Sequence, residues 1–245
     1  MTQLPSTAIE PFFTDLKGLL FDKDGTLFDF QASWGVWART VLDEIAGDDA
    51  ALADRLATAM RYDPARARFH ADSTVIAGTG EEVAALFATH LPNWPGGVDA
   101  LAAWLGDRAS EAPMVEAVPL APLFTRLGSA GFRLGVATND YESVARAHLG
   151  GQAALFDFVA GADSGHGAKP EPGMLLAFAV EFGLDPRQVL MVGDSRHDLI
   201  AGRAAGMPTL AVLTGVADEA ELAPFADMVC PDIGHLPRLL GIGPD

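Results

Sequence analysis

Asp22 and Asp24 stand two residues apart with Lys23 between them, directly after the apolar run "GLLF", and Gly25-Thr26 follow at once. Two like charges this close repel, and each loses hydration if buried, so a compensating cation is called for. Further along, Thr138-Asn139 and Asp194 also end apolar runs, Asp198 stands four residues after Asp194, and the Gly-rich loop "GADSGHGAKP" delivers Lys169-Pro170. Three or four carboxylates with one lysine and one hydroxyl suit a hard cation beside an anionic substrate, and all-oxygen ligation points to Mg²⁺. In such a set an aspartate can attack phosphorus, splitting one hard displacement into two through an aspartyl-phosphate. Metal and lysine then neutralise the equatorial oxygens of the transferring group. Asp24, beside a like charge, is expected to carry a raised pKa. Protonated, it would donate to the leaving oxygen and later deprotonate the attacking water.

What must position these residues is a set of strands. "GLLFD" (18–22), "RLGVAT" (133–138), "FDFVAGA" (156–162), "QVLMVGD" (188–194) and "TLAVLT" (209–214) read as buried strands of a parallel sheet. Helical patterns of about ten residues separate the last four, with proline near a start and Gly150, Gly183 and Gly206 at the ends. This alternation predicts an α/β chain, an open parallel sheet with helices on both faces. All carboxyl ends of such a sheet lie along one edge, so the polar residues converge there, where open α/β sheets bind ligands. The first strand breaks the rhythm. Between it and the second lie only helical patterns, which predicts a helical insertion over residues 30–112, with hinges near Asp29–Phe30 and Pro113, on a core of residues 1–29 and 113–245.

The 245 residues are 49% apolar and carry a formal net charge of −17. Such a chain buries a core, and it repels phosphate backbones and anionic lipid surfaces, so nucleic acid and membrane are poor partners. The single cysteine, Cys230, excludes an intrachain disulfide and reads as a small buried hydrophobe. The N-terminal "MTQLPSTAIEPFF" lacks the basic and apolar regions of a signal peptide, and no apolar run is long enough to span a bilayer. A cytoplasmic protein is expected, as monomer or homodimer.

The motifs resemble those of the haloacid dehalogenase superfamily of aspartate-nucleophile phosphatases, over a core of about two thirds of the chain. Asp22-Lys23-Asp24-Gly25-Thr26-Leu27 is similar to the first motif, Thr138 to the second, Lys169-Pro170 to the third, and Gly193-Asp194-Ser195-Arg196-His197-Asp198 to the fourth. The resemblance implies a Rossmann-like core with an all-helical cap after the first motif. It makes Asp22 nucleophile and Mg²⁺ ligand, and Asp24 acid/base and metal ligand through its carbonyl. Thr138 and Lys169 would hold the phosphoryl group. Asp194 would bind Mg²⁺, and Asp198 would support the metal or orient Lys169. Gly25 would allow the turn that aims amide donors at the phosphate. "GDSRHDLIAGRAAGMPTLAV" resembles the phosphoglycolate phosphatase-like subfamily. Dehalogenases of the superfamily lack an acid at the Asp24 position. The lysine in "DKDGT" resembles that of the phosphorylation motif of ion-pumping ATPases, but those need membrane spans.

The resemblance thus implies a Mg²⁺-dependent phosphatase for a small phosphorylated metabolite, phosphoglycolate foremost. A phosphotransferase such as a sugar phosphomutase, or a non-catalytic binding protein on the same core, are the alternatives. Asn139 is a candidate substrate contact. Arg66 and Arg68, with His70, are cap candidates for reading a carboxylate or sugar phosphate. Trp34 and Trp37, three apart on a helix, read as packed aromatics. Ser195-x-x-Asp198 and Thr79-x-x-Glu82 have capping-box spacing. Lys23 should point away from Asp22, since neighbours on an extended segment alternate, and is given no catalytic role. His166 and His197 are read as bystanders.

Overall fold

Gly18–Phe21 forms the central strand, β1, of the computed structural model, which describes residues 13 and 15–243. After it come α1 (Phe30–Ala46), α2 (Ala50–Ala59), the strands β2 (Tyr62–Asp63) and β3 (Arg68–Phe69), α3 (Gly80–Ala88) and α4 (Gly97–Ser110). The core then resumes with α5 (Leu120–Ser129), β4 (Arg133–Ala137), α6 (Glu142–Leu149), β5 (Phe158–Ala160) and α7 (Gly173–Glu181). It continues through β6 (Val189–Gly193), α8 (Arg196–Ala205), β7 (Thr209–Val212) and β8 (Met228–Cys230). The six-stranded sheet has the order β5-β4-β1-β6-β7-β8, with every pairing parallel. Successive strands run outward from β1 in opposite directions, so the crevice opens at the carboxyl end of β1.

The alternation of a strand decides which core each residue joins. Leu19 and Phe21 pack with Phe124, Leu134 and Leu190 on one face, and Leu20 packs with Phe178 and Met191 on the other. Both faces are covered, which is why these strands read as unbroken apolar runs. The inserted helices have a core of their own around Trp34, Trp37, Val41, Leu56, Phe87 and Leu101.

The insertion leaves and rejoins the core through two chain segments that lie side by side. Phe28 and Glu116 form an antiparallel bridge, Asp29 N donates to Val115 O (2.8 Å), and Ala117 N donates to Leu27 O (2.9 Å). Asp29 also caps α1, its carboxylate accepting from Ala32 N at 2.8 Å.

Two elements differ from the sequence expectation. The cap is not all helical, because β2 and β3 pair antiparallel with Tyr62 opposite Phe69. Strands two residues long carry no period to read; the Tyr62 and Phe69 rings, 5.0 Å apart, hold them to the cap core. The edge strand β8 was likewise unmarked, although its Cys230 is buried as expected and burial pushes its thiol up to about 11. Among the described residues no helix is long and apolar enough to cross a membrane. Most of the N-terminal stretch examined for a signal peptide lies outside the described residues.

Gly135 lets α7 lie directly on the sheet, since a Cβ there would come within 2.7 Å of the Phe178 ring and 2.8 Å of Leu20 Cδ1. A Gly135→Ala variant should lose about 1–3 kcal/mol through overpacking. Urea unfolding should show this as a lower midpoint at an unchanged slope.

Candidate active site

Each strand of the crevice delivers one polar group. Beyond β1, Asp22 N still donates to Val192 O (2.8 Å), and the chain then turns back, with Leu27 N and Phe28 N donating to Lys23 O. Gly25 sits in this turn at φ +85°, and a Cβ on it would come within 2.3 Å of Asp194 Oδ2. Glycine is therefore required both for conformation and for closeness to the acid. Its own amide N donates to Phe28 O at 2.7 Å within that turn. Thr138 follows β4 with its Oγ1 accepting from Asp140 N at 3.2 Å, which leaves its hydroxyl proton free to donate.

Asn139 was expected to touch substrate, but its amide is engaged within the protein. Its Nδ2 donates to Lys169 O (2.9 Å) and to Ala77 O of the cap (2.8 Å), and its Oδ1 accepts from Lys169 N (2.8 Å). It clamps the loop that carries Lys169.

Lys169 Nζ is buried and donates to Asp22 Oδ1 (2.5 Å), Asp198 Oδ1 (2.7 Å) and Ala137 O (2.7 Å). Burial alone would lower its pKa, but Asp198 and Asp22 more than reverse this and hold it charged. Asp198 performs both expected jobs. Its Oδ2 accepts from Ser195 N (3.0 Å) and Ser195 Oγ (2.7 Å) in a capping box, while Oδ1 orients Lys169. With both oxygens occupied, it suits the orienting role better than that of a metal ligand.

Carboxylate oxygens of Asp22, Asp194 and Asp198 lie within 4.8 Å of one another, all buried. Burial first, with Asp198 and Asp24 adding and Lys169 opposing, raises Asp22 to about 7. Burial and the charges of Asp22 and Asp198 likewise push Asp194 well up. Three carboxylates face one ammonium here, so the ionised cluster keeps two uncompensated negative charges. A divalent ion with a preference for oxygen fits that charge and donor set. Asp22 and Asp194 offer the freer oxygens, Asp194 Oδ1 being engaged only by Thr26 Oγ1 at 3.2 Å.

A second charged network lies beside the first, and the sequence reading missed it. Lys23 is fully buried, and it does point away from Asp22. Its Nζ stands 2.7 Å from Asp24 Oδ1, 3.0 Å from Asp140 Oδ2 and 2.9 Å from His148 Nδ1. Trp34 Nε1 also donates to Asp24 Oδ1 at 2.8 Å. The expected raised pKa of Asp24 is therefore corrected. Burial pushes it up, but Lys23 and the Trp34 donor outweigh burial and hold the carboxyl below its ordinary value. Burial raises Asp140 to about 6 against the pull of Lys23. Burial and then Lys23 depress His148 to about 4, so it is neutral, with Nε2 2.6 Å from Ala109 O of the cap.

Between core and cap lies a cavity of about 70 Å³, lined by Asp22, Asp24, Thr138, Lys169 and Asp194 below and by cap side chains above. Trp34 and Trp37 are packed, as expected, but both also line this cavity. His197 lines it as well. Tyr141 seats the cap: a Cβ on Gly80 would come within 2.6 Å of its ring. Arg66 and Arg68 do not line the cavity. Arg66 pairs with Asp63 (2.8 Å) at 79% side-chain exposure, and Arg68 faces solvent because its strand neighbour Phe69 faces the cap core.

A family model for haloacid dehalogenase-like hydrolases matches residues 16–206, most of the chain and all of these core positions except the last strands. The chain belongs to the haloacid dehalogenase-like hydrolases. Among its relatives is a phosphoglycolate phosphatase of Rhodospirillum rubrum, 37% identical over 122 residues, which are 49% of this chain and 50% of the relative. Another is a phosphoglycolate phosphatase of Neisseria meningitidis serogroup A, 39% identical over 117 residues, 46% of this chain and 49% of that protein. The chain thus matches about half the length of these curated relatives. Among solved structures, a haloacid dehalogenase-like hydrolase from Bacteroides fragilis superimposes with a TM-score of 0.68 at 21% identity, over 90% of this chain and 99% of that one. A predicted phosphoglycolate phosphatase from Haemophilus somnus gives 0.65 at 18% identity, over 92% and 98%. At these identities the structures establish the shared fold.

Two outcomes follow from the charge arrangement. Folding raises the pKa of Asp22 from 3.8 to about 7, so its contribution to stability is full below pH 4 and lost as pH rises through 7. At pH 8 without metal, Asp194→Asn should therefore melt higher than wild type, by about 2–4 °C per kcal/mol of repulsion removed. The same variant should lose the stabilisation that Mg²⁺ gives wild type; scanning calorimetry with and without Mg²⁺ checks both. Lys23→Met leaves the part-buried Asp24 and Asp140 without their shared cation, which should cost about 3 kcal/mol at pH 7.5. The deficit should shrink at pH 5, where Asp140 is protonated more readily than Asp24, in urea unfolding at the two pH values.

Proposed function

We propose that this chain is a Mg²⁺-dependent phosphatase that hydrolyses a small phosphate monoester through an aspartyl-phosphate on Asp22. The observation that carries the reading is the position of Lys169 Nζ, bonded to both Asp22 and Asp198 at the floor of a cavity that Asp24 and Thr138 also line. Relatives named phosphoglycolate phosphatase support monoester chemistry, and family membership supports a hydrolase.

In this reading Asp22 and Asp194, with the Asp24 carbonyl, hold Mg²⁺. When bound, the ion supplies positive charge to the phosphoryl oxygens and to the crowded carboxylates. Lys169 and the Thr138 hydroxyl bind the phosphoryl group from the protein side. An Asp22 oxygen forms a bond to phosphorus as the bond from phosphorus to the leaving oxygen breaks, and that oxygen takes a proton from Asp24. Water then attacks the aspartyl-phosphate, Asp24 takes back a proton, and phosphate leaves with Asp22 restored. Asp24 is anionic in the empty site, which suits it as the base of the second half. The incoming phosphate dianion raises its proton affinity for the first half. The cap, latched over the cavity, keeps bulk water from the intermediate. The proposal includes a small phosphorylated metabolite as partner and a cytoplasmic location, with the chain acting as monomer or homodimer.

The test is phosphate release from a panel of phosphoglycolate, sugar phosphates, nucleotides and an aryl phosphate, with and without Mg²⁺. Release should require Mg²⁺ and should fall by about three orders of magnitude or more in Asp22→Asn. Isomerised sugar phosphate without free phosphate would instead identify a phosphomutase. Folded protein inert toward every ester would sink both enzymatic readings.

A further inference from the structure

The two halves of the cavity are chemically unlike. Among the described lining residues, every charged side chain belongs to the core. The cap contributes Phe30, Trp34, Trp37, Ile76, Val83 and Leu105, with small residues between them. The only lysine or arginine in the lining is Lys169, and Asp22 and Asp198 hold it at the floor. His197, the one histidine among the described lining residues, stands on the core side, and His148 beneath Trp34 is outside the lining and bonded to Lys23 and Ala109. Arg66 and Arg68, the arginines that the sequence suggests for an anionic substrate tail, face solvent.

Main-chain donors do not replace the missing cation. The N-terminus of α3, which borders the cavity at Gly80, is closed by a reciprocal Thr79–Glu82 capping box and carries Glu81 and Glu82 in its first turn. Those acids oppose a further anion there. A carboxylate pressed against this wall would lose its water and gain no partner, a large cost. Neither indole N–H of this wall is open to a substrate: Trp34 Nε1 is committed to Asp24, and Trp37 Nε1 is buried away from solvent.

We infer that the alcohol half of the substrate is uncharged and largely apolar, a small aryl or alkyl group, and that esters carrying a carboxylate, phosphoglycolate included, are poor substrates. This inference rests on the phosphatase reading and narrows it. It also departs from the substrate in the names of the relatives, whose match spans half their length.

The test compares phenyl phosphate with 4-carboxyphenyl phosphate and phosphoglycolate, all with Mg²⁺ and the full chain. The phenyl pair shares ring and bond type and differs by one charge. For wild type, kcat/KM for phenyl phosphate should exceed that for each carboxylated ester by about tenfold or more. An Ala102→Arg variant places a cation on the half-buried cap face of α4 and should narrow or reverse the ratio within the phenyl pair. Binding is read separately from turnover in Asp22→Asn, by quenching of the Trp34 and Trp37 fluorescence: phenyl phosphate should bind at least about tenfold tighter than its carboxylated partner. Carboxylated esters turned over or bound as well as phenyl phosphate would overturn the inference and leave the phosphatase standing. No Mg²⁺-dependent release from any of the three, nor from the wider panel above, would overturn the phosphatase and this inference with it.

Discussion

Burying several carboxylates at one sheet edge is the constraint on which the rest of this structure depends. Two lysines divide the load. Lys169 bridges Asp22 and Asp198, and Lys23 bridges Asp24 and Asp140. The two networks touch neighbouring residues of one turn, yet their electrostatic outcomes are opposite. Burial drives Asp22 up against the pull of Lys169, while at Asp24 the charge of Lys23 and the Trp34 donor outweigh burial and drive it down. Two acids two residues apart are thus given different proton affinities by partners drawn from distant parts of the chain. That separation is what a nucleophile and a proton carrier need.

The core was legible from the sequence because its signals are local. Fully buried strands read as apolar runs, and parallel pairing sends all of their carboxyl ends to one edge, so Asp22, Thr138, Lys169 and Asp194 converge without knowledge of any contact. The double duty of Asp198 was also visible, since a capping box is a four-residue pattern. Partners across long stretches of chain were not visible. His148 meets Lys23 across 125 positions, and nothing near Lys23 announces it. The like-charge argument for Asp24 considered its sequence neighbour and omitted the lysine lying between them. Arg66 and Arg68 drew attention by composition, but which way a two-residue strand faces is decided by Phe69 and the cap core.

Core and cap each satisfy their own apolar demands, with separate buried clusters on the sheet and among the inserted helices. The site between them inherits the character of both. Polar groups come from strand ends, where backbone geometry is rigid. The apolar wall comes from helix faces that would be buried whether or not a ligand were present. Trp34 belongs to both sides, contributing its ring to the cap core and its indole N–H to Asp24. Any displacement of α1 is therefore felt directly at the carboxylate.

Apart from the Trp34 indole on Asp24 and the Ser33 hydroxyl on Val115 N, the polar latches from core to cap share one property. Asn139 reaches the carbonyl of Ala77, and His148 reaches the carbonyl of Ala109. At the hinge, main chain pairs with main chain. None of these bonds reads the identity of a cap side chain. A lid fastened this way is an interchangeable part: its inner face can be rewritten during evolution, residue by residue, while the fastening and the chemistry beneath it stay as they are.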